Sequence, residues 1–161
     1  MSDYALYLRI LRTGGGIRPI CPGDGGIDEY DSIMIDIRGR RILIVEDEYF
    51  VADDLATDLR KLGAEIVGPV GNVAEALALI RANPDLDGAV LDINLHGQMS
   101  YPVAALLVQA GTPFLFATGY DGWTVDDAYR GIVRHEKPVR PGDVVTALFG
   151  QPNTRNDTTP S

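Results

Sequence analysis

Ile42-Leu43-Ile44-Val45-Glu46-Asp47-Glu48 is the stretch that decides the fold: four aliphatic residues in a row, then three acids. A strand with one wet face alternates apolar and polar side chains, whereas a strand covered on both faces reads as a continuous aliphatic run, as in the interior of parallel sheets. The run predicts a central parallel strand with acids at its carboxyl end. Beyond it, Phe50, Val51, Leu55, Leu59 and Leu62 recur at helical spacing, and Gly63 follows where a helix would stop. Strand and helix together make a first βα unit.

The same alternation continues outward along the chain. Glu65 to Val67 reads as a strand, the stretch around Val73 to Arg81 as a helix, Gly88 to Leu91 as a strand, and the stretch around Tyr101 to Gln109 as a helix. Phe114 to Ala117 and Ile132-Val133 read as two more strands, each followed by a short helix, the last near Asp143 to Phe149. Five βα units predict an α/β protein: a doubly wound five-stranded parallel sheet with helices on both faces, because right-handed crossovers put them there. In such open sheets the site lies beyond the carboxyl ends of the strands.

The ends of the chain read differently. Residues 1–39 carry Gly14-Gly15-Gly16, Pro19, Pro22, Gly23 and Gly25-Gly26 among acids with no sustained period, which predicts a disordered or poorly ordered extension. Residues 5 to 11 would make a short helix or strand, but nothing beside them completes a core. Residues 40–150 are the expected domain, and 151–161, rich in Asn, Thr and Pro, the expected frayed tail. The 161 residues are 45% hydrophobic, enough for one proper core and not comfortably for two. A net charge of −9 argues against unaided binding to nucleic acid or to an anionic membrane. A single cysteine, Cys21, forms no internal disulfide, and no run approaches the ~18 apolar residues that span a bilayer. With no signal-peptide pattern, a cytoplasmic location is expected.

Chemistry concentrates where the strands end. The first runs into Glu46-Asp47-Glu48, the third ends at Asp92, the fourth leads to Thr118 and the fifth to Lys137-Pro138. Carboxylates gathered at one sheet edge repel one another, so they stay ionised only if a cation joins them or one takes a proton. Oxygen-only ligands favour Mg²⁺, which keeps several waters and prefers a partner phosphate. A carboxylate beside such an ion can attack phosphorus and hold the product as an acyl phosphate. Asp92 is the expected nucleophile, Lys137 would offset charge on the phosphoryl oxygens, and the Thr118 hydroxyl would bond one of them. His96 and His135 have no second His or Cys at ligand spacing and are assigned no role. The Gly-rich amino-terminal segment lacks the lysine pattern of a nucleotide loop.

Taken in order, Ile42 to Glu48, Leu91-Asp92-Ile93-Asn94-Leu95, Thr118-Gly119 and Lys137-Pro138 resemble the receiver domains of two-component response regulators. The resemblance covers about residues 40 to 150 and implies a flavodoxin-like strand order, 2-1-3-4-5. It also implies that Asp92 is the phosphoacceptor and that Glu46, Asp47, Asp92 and the backbone carbonyl of Asn94 bind Mg²⁺. Thr118 would then be the switch hydroxyl and Lys137 the phosphoryl contact. Phe116-Ala117-Thr118-Gly119-Tyr120 and Ser100-Tyr101-Pro102-Val103-Ala104 further resemble a subfamily of single-domain receivers named for its Phe-Ala-Thr-Gly motif. That likeness implies a sensor histidine kinase of the HWE or related class as phosphodonor, and a downstream protein reached by contact, with no nucleic acid and no output domain.

Two positions depart from the family pattern. Many receivers carry an aromatic switch residue three before the lysine, where Arg134 stands here, so a phosphoryl-dependent change is expected instead in the loop of Gly119, Tyr120, Asp121 and Trp123. Tyr120 would limit the approach of water to the acyl phosphate. The position four after Asp92 is commonly proline and is His96 here, which predicts a less rigid loop. Two other functions compete. One is a receiver-fold module that binds a partner independently of phosphorylation, suggested by the missing aromatic. The other is an Asp-nucleophile phosphatase of the haloacid dehalogenase type, which needs a second acid where Asn94 offers an amide. No enzymatic turnover is expected beyond acceptance and loss of the phosphoryl group.

Overall fold

A computed structural model of the chain describes residues 7–13, 16–19, 31–119 and 125–150. The central sheet is formed by β4 (Arg41–Val45), β5 (Glu65–Val70), β6 (Gly88–Asp92), β9 (Phe114–Thr118) and β10 (Arg134–Glu136). All four pairings are parallel and the spatial order is β5-β4-β6-β9-β10, which is 2-1-3-4-5 counted along the chain, as expected.

The aliphatic run of β4 is divided between two cores, because successive strand residues face opposite sides. Leu43 and Val45 pack with Leu91 and Phe116 against α2 (Val73–Ala82) and α3 (Tyr101–Ala110), through Ala76, Ile80, Val103 and Leu107. Ile42 and Ile44 pack with Val90 and Leu115 against α1 (Tyr49–Lys61) and α4 (Pro141–Phe149), through Ala52, Leu59, Val144 and Leu148. Helices thus cover both faces, the doubly wound arrangement that five βα units imply. At Gly88 a Cβ would come within 2.7 Å of Leu148 Cδ1, so α4 sits this close to β6 because that strand begins with glycine.

The structure departs from the sequence reading in four places. β1 (Tyr7–Thr13), β2 (Gly16–Pro19) and β3 (Asp31–Met34) form a separate antiparallel sheet in the order β2-β1-β3, where an unstructured extension was expected. Its outer pairing sets Tyr7 opposite Met34, a contact between distant residues that no local periodicity announces. The expected tail, 151–161, lies outside the described residues. Between β9 and β10 the described residues hold only a 3₁₀ turn, Asp127–Tyr129, in place of the short helix that was expected. β10 itself falls on Arg134–Glu136 and not on Ile132-Val133. It is an edge strand with mostly exposed residues, so the aliphatic pair marks the approach to the strand: Ile132 packs on the core and the Val133 carbonyl accepts from the Phe116 N–H at 2.9 Å.

The fourth departure follows Asp92. β7 (Asn94–Leu95) and β8 (Gln98–Met99) pair antiparallel around His96-Gly97, both with positive φ, 50° and 85°. That is the backbone a two-residue hairpin turn of the primed type requires, and it closes the loop that the missing proline had suggested would be looser.

Candidate functional site

β4, β6, β9 and β10 end side by side, and the expected residues meet there. Glu46 directly follows β4 and its N–H donates to Val70 O at 2.9 Å, which ties it to β5. Asp92 is the last residue of β6, and its Oδ1 accepts from the Asn94 N–H at 3.1 Å. Lys137 follows β10, and its N–H donates to Thr118 O at 2.8 Å, so the lysine is fixed to the end of β9. From there Nζ bridges the two acids, 2.7 Å from Asp92 Oδ2 and 2.9 Å from Glu46 Oε2. Both carboxylates are buried, at 5% and 7% exposure.

Asp47 is the third acid. Its Oδ2 accepts from the His96 N–H at 2.9 Å and lies 3.1 Å from His96 Nδ1, so the hairpin turn after β6 holds the carboxylate at the end of β4. Oxygens of Glu46, Asp47 and Asp92 lie within 4.8 Å of one another. The Asn94 side chain is committed to the turn, its Oδ1 accepting from the Gly97 N–H at 2.7 Å, which leaves its backbone carbonyl as the group that would face a metal. Thr118, Gly119 and Arg134 line the same open cleft of about 640 Å³. Tyr120 and the rest of the loop to Trp123 lie outside the described residues.

Burial pushes the Glu46 carboxyl up to about 7, against the Lys137 ammonium and the Glu48 N–H, which pull it down. Asp92 is raised for the same reason, with Lys137 again opposing. Asp47 is lowered: burial works to raise it, but hydrogen bonding with Glu46 and from the His96 N–H outweighs that. For Lys137 burial works against the charge, yet its bonds to Asp92 and Glu46 leave it above the ordinary lysine value. One ammonium faces three converging carboxylates, two of them desolvated. This is a donor set that a small hard cation would complete, since Mg²⁺ takes oxygen ligands and offsets the repulsion that otherwise favours protonation.

Two contributors escaped the sequence reading. His96 was assigned no role, and only the positive-φ turn brings both its N–H and its ring to Asp47. Arg134 stands out in the sequence only as a missing aromatic, whereas in the structure it lines the same cleft as Thr118 and Lys137. Its signal was legible as position, three residues before the lysine at a strand edge, but not as chemistry.

No protein-family model matches the chain. The transcriptional regulatory protein PdtaR of Mycobacterium tuberculosis is 44% identical over 57 residues, 35% of this chain and 27% of its own, so the match spans little more than a quarter of that relative. Among solved structures, SdrG of Sphingomonas melonis Fr1 is 40% identical, with a TM-score of 0.61, over 68% of this chain and 93% of that one. SdrG has also been solved in a BeF3-activated conformation, which matches at 40% identity and a TM-score of 0.56 over 67% of this chain and 92% of that one. The response regulator PhyR of Brucella abortus is 26% identical, with a TM-score of 0.55, over 70% of this chain and 49% of that one. Strand order, the acid and lysine set and near-complete coverage of SdrG converge: the chain belongs to the response regulator receiver family and fits its Phe-Ala-Thr-Gly subfamily.

Proposed function

We propose that Asp92 accepts a phosphoryl group from the phosphohistidine of a sensor histidine kinase, of the HWE or related class, in a cytoplasmic phosphorelay. The observation that carries this reading is the Lys137 ammonium held 2.7 Å from Asp92 Oδ2 at the mouth of an open cleft. An Asp92 oxygen attacks phosphorus, the P–N bond to the kinase imidazole breaks, and the electron pair leaves with that nitrogen, which then takes a proton. Little covalent work falls to the protein, so the residues act by position and charge. Lys137, already directed at Asp92, offsets charge on the phosphoryl oxygens, and the Thr118 hydroxyl donates to one of them. Glu46, Asp47, Asp92 and the Asn94 carbonyl would hold Mg²⁺, which supplies neutralisation of the carboxylates and of the incoming phosphoryl group when bound. The phosphorylated chain then acts by contact with a downstream protein or as a phosphate sink, without turnover of any further substrate.

The test is intact-mass analysis after incubation with acetyl phosphate and Mg²⁺, then with a phosphorylated HWE-type kinase. One added phosphoryl group is expected, absent in Asp92→Asn and in EDTA. No addition from either donor would favour the second reading, a module that binds its partner independently of phosphorylation, for which Arg134 in the aromatic position is the motive. Against a phosphatase stands the Asn94 side chain, an amide tied to the Gly97 N–H and unable to donate a proton as an acid does.

A further inference from the structure

We propose that Arg134 is a second phosphoryl-binding cation of this site, taking the oxygens of the group on Asp92 alongside Lys137. The inference rests on the phosphoacceptor reading and adds to it a residue outside the usual receiver set. Its motive is charge. The cleft wall carries Asp47, Glu48, Asp92 and Glu136, and its cations are Lys137 and Arg134. Lys137 already spans two carboxylates at 2.7 and 2.9 Å, so much of its charge is engaged before any phosphoryl group arrives. Arg134 has no ion pair among the described residues and is exposed on the cleft wall. A guanidinium stays charged throughout the working pH range and offers paired N–H donors that match two phosphoryl oxygens, a geometry one ammonium does not reproduce.

Position agrees with chemistry. Arg134 stands opposite Phe116 in the β9–β10 register, two residues before the point where Glu136 meets Thr118, an offset of about 6–7 Å along the strand that an extended arginine side chain spans to reach the cleft it borders. A cation there turns the aromatic position of other receivers from a steric sensor of Thr118 into a direct reader of phosphoryl charge. Ligation of the phosphoryl group would then act on β10 directly, with no ring needed between them.

The experiment is titration of the full chain with beryllofluoride and Mg²⁺, followed by amide shifts, for the unaltered protein, Arg134→Ala and Arg134→Lys, with thermal unfolding of each ligand-free protein. Arg134→Ala is expected to weaken beryllofluoride binding by about tenfold, the loss of a charge-assisted contact, and Arg134→Lys to recover part of it. Ligand-free melting temperatures should agree, which separates a phosphoryl contact from a structural role. Equal affinities for the unaltered protein and Arg134→Ala would overturn the inference alone. No response in the unaltered protein would overturn it together with the phosphoacceptor reading.

Discussion

The sheet is built differently on the two sides of Asp92. On one side β4 and β6 are buried apart from the part-exposed Arg41, and helices of ten or more residues carry the chain between strands. On the other, β10 is a three-residue edge strand with two exposed residues, reached among the described residues through a single 3₁₀ turn. The three acids stand on the first side; Thr118, Arg134 and Lys137 stand on the second, joined to it across the 2.7 Å contact with Asp92. Segments with few buried contacts open at lower free energy than core strands. The carboxylates are thus fixed on the rigid side, while the cations and the hydroxyl that would answer a phosphoryl group sit at or beside the edge strand, where the backbone moves at less cost.

The difference in packing is largest between the centre of the sheet and its β10 edge. Leu43 is fully buried between β5, β6 and α2, so Leu43→Ala should cost about 2–5 kcal/mol in urea unfolding. Val133, beside β10, is 39% exposed, and Val133→Ala should cost no more than about 0.5–1 kcal/mol. Similar losses at the two positions would mean that the β10 edge is as tightly packed as the centre.

A smaller effect belongs to the acidic side alone. Folding raises the Glu46 carboxyl from its ordinary 4.5 to about 7, so between those values the folded chain binds more protons than the unfolded one. Stability without metal should therefore fall as pH rises from about 4.5 through 7, with Glu46 alone contributing at most about 3 kcal/mol. Lys137, shifted upward from 10.5, titrates above that window and leaves the slope unaltered. Chemical denaturation in EDTA across this range measures the slope; saturating Mg²⁺ and Glu46→Gln should each flatten it. A slope unchanged in Glu46→Gln would remove the buried carboxylate as its source.

How far the sequence alone reached follows the same division. Ile42 to Val45 announced a strand covered on both faces because burial on both faces leaves a continuous aliphatic run, and Asp92 and Lys137 stood out as charges where such runs end. The edge strand Arg134-His135-Glu136 left no such trace, since its polar residues pair through backbone and its aliphatic neighbours, Ile132 and Val133, lie just before it. The His96-Gly97 hairpin was hidden because its turn depends on positive φ at a histidine, a conformation that residue type does not declare. In the amino-terminal sheet β1 and β2 pair locally, Thr13 opposite Gly16, but β3 joins β1 across more than twenty residues of chain, with Tyr7 opposite Met34, and that pairing leaves no local trace.

The smallest effect examines the joint between the two sides. Tyr101, at the start of α3, stacks on Tyr129 with ring centroids 5.3 Å apart, and Phe116 meets both rings edge-on. The Tyr101 hydroxyl accepts from the Asp126 N–H at 3.1 Å, so one side chain on the rigid side secures the turn before β10. Tyr101→Phe keeps the stack and removes that acceptor, with an expected loss of about 0.5–1.5 kcal/mol, the net worth of one hydrogen bond. If the mobile side opens by itself, amide exchange should quicken at Asp126, Tyr129 and Ile132 while Val90 and Leu91 hold their protection. If all five quicken together, the two sides unfold as one unit, and a phosphoryl group on Asp92 would have to act through the whole sheet and not through its edge.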